Sequence, residues 1–171
     1  AIKYLDDRFK LIIVGYGKDF NTMMEYVKES NLNEKVIFIN KVHRNVLHEV
    51  IRLCDIGIVA YANLSLNEVY CEPNKLYDYA NVGLPLIVTN QINLVKILNK
   101  YKIGKIVGFE QDKKNYPKEI ADAILEIIAN YNFFKHNIND FLNEYNWINE
   151  KNRLNQKLSE IYYDKLKLGF K

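Results

Sequence analysis

Asn74, Lys75 and Asp78, within EPNKLYDYANVGLP (residues 72–85), are the side chains of this sequence best suited to hold a charged ligand. Pro73 fits the first turn of a helix or the position just before it, and Asn74 can cap the exposed N–H groups, so a helix is expected to start there. Leu76, Tyr79, Ala80 and Gly83 then fall on one face, with Gly83 either ending the helix or letting it approach a sheet closely. Asn74, Lys75 and Asp78 project from the other side. A helix start offers unpaired N–H groups and a partial positive charge, worth about 0.3–1 kcal/mol to an exposed anion, and Lys75 adds a full charge. That is phosphate-binding chemistry. One turn further on, Asp78 can accept hydrogen bonds from two neighbouring hydroxyls, as a ribose presents them. The bland reading of the same residues is an i, i+3 ion pair on a solvated face, worth about 0.2–0.5 kcal/mol. Composition alone favours the ion pair; position favours the ligand, because open α/β sheets bind ligands beyond the carboxyl ends of their strands.

Gly15 and Gly17, in IVGYGKD (residues 13–19), end an apolar run and open a helical segment. There a chain without side chains can turn tightly or let a ligand approach its backbone. Phe20 stands where G-x-G-x-x-G would need its third glycine, so the dinucleotide fingerprint is not met. A structural turn and a ligand loop fit these glycines equally. Cys54 and Cys71 lie outside any C-x-x-C spacing and read as two reduced thiols. His43, His48 and His136 form no metal-binding pattern and read as surface or capping residues.

The elements that must position these residues are legible as a pattern. Five apolar runs, KLIIVG (10–15), KVIFI (35–39), DIGIVAY (55–61), LPLIVT (84–89) and KIVGF (105–109), are continuous rather than alternating, as strands covered on both faces require. Between them lie helical stripes: Phe20, Met23, Met24 and Val27; Leu47, Val50, Ile51 and Cys54; and, after Pro117, Ile120, Ala123, Ile124, Ile127 and Ile128. The alternation predicts a Rossmann-like, doubly wound, mostly parallel sheet of about five strands over residues 1–130. Residues 131–171 are expected to form a helical tail, with two helices broken near EYNW and a stripe of Leu154, Leu158, Ile161 and Tyr162 on the last.

The 171 residues suit one domain, and 49% hydrophobic with 26% charged residues is an ordinary globular composition. A net charge of +3, spread along the chain, gives no argument for nucleic acid. No apolar run approaches the roughly 18 residues of a membrane span, and AIKYLDDRFK has no signal-peptide pattern, so a cytosolic chain is expected.

The run EPNKLYDYANVGLPLIVT resembles the donor-site signature P-[SN]-K-[LI]-x-[ED]-Y-x-x-x-G-x-P of retaining glycosyltransferases of the GT-B fold, the large family 4 group. KLIIVGYGKD resembles that family's strand and G-x-G turn, KVIFINKVHRNVLHEVIRLCDIGIVAY its V-x-F-x-G-x-V segment and following strand, and YNWINEKNRLNQKLSEIY its closing helix. The resemblance covers nearly the whole chain in the right order. It implies the C-terminal half of a two-domain enzyme, the half that holds a sugar linked to UDP or GDP, with no cofactor and no metal. By position, Asp78 would hold the ribose hydroxyls and Asn74 and Lys75 would receive the diphosphate. The loop Asn40-Lys41-Val42 would flank the base through its backbone, and Gly15-Tyr16-Gly17 would border the cleft.

The chain departs from the family pattern at three places. The first acidic residue of the family's E-x7-E site falls at Tyr70, which leaves Glu72, displaced by two, as the carboxylate for a catalytic role at the donor sugar. Asn40-Lys41 stands where the family has glycine. The family's donor half also begins with a further strand and an Arg/Lys loop that neutralises the diphosphate. That strand lies between those matching residues 10–15 and 55–61, so either these two pair directly or the chain is a piece of a longer protein.

The expectation is therefore a nucleotide-sugar-binding domain of a bacterial-type retaining glycosyltransferase in surface polysaccharide or glycolipid assembly. It is expected to be cytoplasmic, peripheral at the inner face of the membrane in the full-length enzyme, and inactive in transfer by itself. Its partners would be the N-terminal acceptor domain and a saccharide or lipid-linked acceptor, with self-association of the isolated chain through the tail. The donor sugar would be read by several loops, Asn90-Gln91-Ile92-Asn93 among them. Three rivals stand beside this reading: a sugar-nucleotide epimerase of the same fold, for which no acid/base pair is placed; a non-catalytic interaction module; and a flavodoxin-like domain.

Overall fold

A computed structural model describes residues 1–108 and 115–167. All five apolar runs form strands: β1 (Leu11–Val14), β2 (Val36–Ile39), β3 (Gly57–Val59), β4 (Leu86–Val88) and β5 (Gly104–Ile106). Phe109, the expected end of the last run, lies outside the described residues. Every pairing is parallel, with Leu11 opposite Val36, Gly57 opposite Leu86 and Leu86 opposite Gly104 opening the three registers. The strands form two sheets rather than one, β1-β2 and β3-β4-β5. Of the two alternatives left open for β1 and β3, direct pairing does not occur: a slot separates them.

The helices are α1 (Phe20–Glu29), α2 (Arg44–Arg52), α3 (Leu66–Tyr70), α4 (Asn74–Asn81), α5 (Ile92–Tyr101), α6 (Tyr116–Ala129), α7 (Tyr131–Glu144) and α8 (Trp147–Lys167), with a short 3-10 turn at Ile2–Tyr4. Two of these depart from expectation, α3 in its existence and α5, which the alternation of strands and helices requires, in its start. Residues 66–70 read as loop, yet Ser65 caps α3 by accepting the Glu68 N–H. α5 starts inside the stretch taken for a sugar-reading loop, although Leu94, Ile97 and Leu98, all buried, are the i, i+3, i+4 signal of a helix.

The core forms around β4, whose three residues are wholly buried. Leu86 and Val88 face Leu76 and Ala80 of α4, Leu94, Ile97 and Leu98 of α5, and Ile138 and Phe141 of α7. Ile87 points the other way, to Val107, Ala123 and Ile127 of α6 and Phe134 of α7. Successive side chains of a strand alternate faces, so a continuous apolar run is what a sheet covered on both sides needs. The smaller sheet is barer. All four β1 residues are only half-buried, and Met23 and Met24 of the α1 stripe stay 40% and 45% exposed, since two strands offer the helix a narrow surface.

Two glycines set the approach and the end of α4. Tyr79 packs directly on Gly57 of β3, where a β-carbon would collide with its ring. At the other end Gly83 takes φ +80°, its N–H donates to the Ala80 carbonyl at 2.8 Å, and Leu84 N–H reaches the Tyr79 carbonyl at 3.0 Å. This is a Schellman ending, which uses a left-handed residue at that place. Gly83→Ala is expected to lower stability by about 1 kcal/mol through the left-handed backbone; an unchanged urea midpoint would contradict it.

The tail folds as two helices meeting at the expected break. α7 buries Phe134, Ile138 and Phe141. α8 leaves its stripe open, with Leu154 and Leu158 each 54% exposed and Tyr162 62% exposed. Among the described residues, no helix is long and apolar enough to cross a membrane.

Candidate functional site

The chain leaves β3 at Val59, runs through a loop and α3, and extends through Cys71 and Pro73 into α4. Pro73, not Asn74, occupies the capping position (φ −75°, ψ 147°), and no side chain caps the helix. The proline's extended backbone fills the cap, which puts Asn74 one place inside, with its N–H groups at an end open to an anion. Asn74 and Lys75 are exposed and Asp78 is half-buried.

Lys75 and Asp78 do not pair with each other. The Lys75 ammonium lies 5.7 Å from the centre of the Tyr61 ring, a cation–π contact across the β3 end. Asp78, with 25% of its side chain exposed, has its Oδ1 3.9 Å from Nη2 of Arg44. Both residues line a cavity of about 680 Å³ between the two sheets. Arg44 is the first residue of α2, and His43 caps that helix by accepting the Asn45 N–H at 3.4 Å, so the capping expectation for His43 holds. A long ion pair with one partner 77% exposed contributes little to stability. Its relevance is positional: it brings a second cation beside the carboxylate.

The other expected residues continue this strip. Asn40 and Lys41, both exposed, follow β2, and the Lys41 ammonium sits 4.8 Å from the centre of the Tyr16 ring. Tyr16 lies between Gly15 and Gly17 at the end of β1 and is 72% exposed. Gly15 donates its N–H to the Ile39 carbonyl at 3.0 Å, and Gly17 has φ +151°, with open space around both. The structure thus links the β1 turn to the β2–α2 loop through Lys41 and Tyr16, and that loop to α4 through Arg44 and Asp78.

Glu72 goes elsewhere. Its carboxylate accepts the Tyr77 hydroxyl, and Tyr77 stacks on Phe141 of α7 at 5.9 Å. Burial, then the Glu72 hydrogen bond, push the Tyr77 hydroxyl well above its ordinary range. Residues 90–93 are bonded within the chain: Gln91 is fully buried, the exposed Asn90 accepts from Asn63, and the half-buried Asn93 donates to the Tyr70 carbonyl. Cys54 and Cys71 are half-buried free thiols. Tyr16 was expected at the cleft border with Gly15 and Gly17; Arg44 and Tyr61 were not singled out from the sequence. Each stands at a strand end or helix start beside an expected site residue, which is the signal that could have found them.

A helix start without a side-chain cap, two cations and one partly shielded carboxylate can hold a phosphorylated ligand that also carries a diol. Comparison with known proteins agrees in class. The profile of the family described as "Glycosyl transferases group 1" matches residues 1–145. A search of curated proteins finds no match. Among solved structures, the chain is similar to "Crystal Structure of WaaG, a glycosyltransferase involved in lipopolysaccharide biosynthesis", with a TM-score of 0.60 at 12% identity. That match covers 80% of this chain and 34% of the other, so the chain spans about a third of that glycosyltransferase. At this identity the likeness is one of fold, that of a GT-B glycosyltransferase, and it fits the C-terminal domain. The profile spans most of the sequence, and the chain belongs to the group 1 glycosyltransferases.

Proposed function

We propose that this domain holds the nucleotide of a UDP- or GDP-linked sugar within a retaining glycosyltransferase that elongates a polysaccharide or glycolipid acceptor. The observation that carries the reading is the placement of Lys75 and Asp78 on one side of α4, beyond the β3 end, with Tyr61 and Arg44 beside them. Lys75 and the open start of α4 would receive the diphosphate; Asp78 would hold the ribose diol; Asn40 and Lys41 would flank the base. As the donor bond breaks, negative charge grows on the leaving diphosphate, and fixed positive groups there stabilise the transition state more than the ground state. The acceptor hydroxyl then attacks with retention at the anomeric carbon.

In this reading the slot between β1 and β3 takes the further strand of the family's donor half. Leu11 and Gly15 donate to β2, and Gly57 donates to the β4 side. Parallel pairing alternates direction along a strand, so the backbone groups of Ile12, Val14 and Ile58 turn toward the slot, which those residues line. The acceptor domain would be a second partner, docking on the open stripe of α8.

Calorimetric titration with UDP and GDP tests the reading. Heat with one of them supports it and names the base. Absence of heat with both, from this chain and from a longer protein that fills the slot, would sink it. Residues 1–171 are expected to bind without transferring sugar, and turnover by this chain would count against the two-domain reading.

A further inference from the structure

Thr89 and Gln91, at the end of β4, are the fully buried polar side chains nearest the site, and their bonds converge on one residue. The Thr89 hydroxyl donates to Gln91 Oε1 at 2.7 Å and accepts the Tyr61 N–H at 2.9 Å. Gln91 Nε2 donates to Asn63 Oδ1 at 2.7 Å and to the Tyr61 carbonyl at 3.3 Å. Both backbone groups of Tyr61 are therefore held by side chains from the neighbouring strand end. Asn63, in the left-handed conformation at φ 57°, is held again by donation to Asn90 Oδ1 at 2.7 Å.

Burying two polar side chains is unfavourable unless every group is paired, and an apolar pair of similar size would fill the same space. What a satisfied polar network adds is a unique geometry. The geometry held here is that of Tyr61, and the Tyr61 ring carries the Lys75 ammonium. A lysine has four rotatable bonds, and an exposed one samples many rotamers. A fixed aromatic face narrows that choice.

We infer that Gln91 and Thr89 are positioning residues for the donor diphosphate: they fix Tyr61, and the Tyr61 ring holds Lys75 at the phosphate subsite. This rests on the donor reading and adds to it a route from a buried pair to the charged group. It also gives the stretch 90–93 a part in donor binding through the protein interior instead of direct contact with the sugar.

The test compares nucleoside monophosphate with diphosphate, UMP against UDP and GMP against GDP, by titration of the wild-type chain and its variants. The quantity read is the ratio of the two dissociation constants. Lys75→Ala is expected to shrink that ratio. Tyr61→Leu and Gln91→Leu are expected to shrink it by about threefold to tenfold, the scale of a partly shielded cation–π contact, while Tyr61→Phe, which keeps the ring, retains it. A merely structural role would weaken both ligands alike and leave the ratio unmoved. Tyr61→Leu keeping the wild-type ratio while Lys75→Ala loses it overturns the inference. If Lys75→Ala and Asp78→Ala both bind as wild type, the donor reading itself fails and this inference with it. Should Gln91→Leu not fold, the Tyr61 pair decides alone.

Discussion

Asp78→Ala is expected to weaken binding of UDP or GDP by about 1–3 kcal/mol, a loss of about fivefold to 150-fold, the scale of hydrogen bonds to a charged group. The carboxylate is a quarter exposed, and among the described residues its one ionic neighbour, Arg44, stands at 3.9 Å. It is therefore available to a diol. Both ribose hydroxyls can donate to one carboxylate, and neither finds a partner on alanine. Asp78→Asn, which keeps one acceptor oxygen and loses the charge, should fall between. Stability is the control: an exposed pair of this length contributes about 0–1 kcal/mol, so the variant should melt close to the wild type. Titration against the preferred nucleotide checks the expectation, and unchanged affinity in a well-folded Asp78→Ala would remove Asp78 from the site.

The second large effect is on stability. Phe141→Ala is expected to cost about 3–5 kcal/mol, as truncation of a fully buried phenylalanine does. Phe141 is 0% exposed and sits among three rings, from α4, from α5 and from the residue that follows α7. It stacks on Tyr145 at 5.1 Å and Tyr77 at 5.9 Å, and meets Tyr101 edge-on at 5.3 Å. Its side chain seals α7 against α4 and α5, so alanine would leave a cavity that helices anchored elsewhere cannot close. For a chain of this size each kcal/mol lowers the melting temperature by roughly 2–4 °C, which gives a fall of roughly 6–20 °C. Urea unfolding provides the check. A loss under about 1 kcal/mol would mean that α7 does not dock on α4 through this ring, and would release Tyr77 and Glu72 from the place assigned to them.

The tail illustrates why some features could be read ahead of the structure. The stripe 154, 158, 161, 162 is visible as spacing, and the helix forms; that its apolar side chains stay exposed depends on what else packs there. Likewise the helix-start signals and the spacing brought Asn74, Lys75 and Asp78 forward together, and they do share the first turns of one helix. Those signals left Pro73 in the first turn or just before it, because the choice between adjacent positions turns on one residue's backbone angles.

What the sequence determined by itself is local. Apolar runs set five strands, Gly83 set the end of α4, and residue spacing placed Lys75 and Asp78 within one turn of each other. Hydrophobic burial acts along the chain with the period of each element, so it leaves a readable trace. Partners across elements leave none. Arg44 reaches Asp78 from another helix, Lys75 meets Tyr61 across a strand end, and Glu72 turns to Tyr77 and away from the cavity. Gln91 looks like a loop residue until β3 and β4 lie side by side and close over it. The split of the sheet is of the same kind: β1 and β3 carry the composition of central strands, and whether a neighbour stands between them is decided only where their backbone hydrogen bonds must find partners.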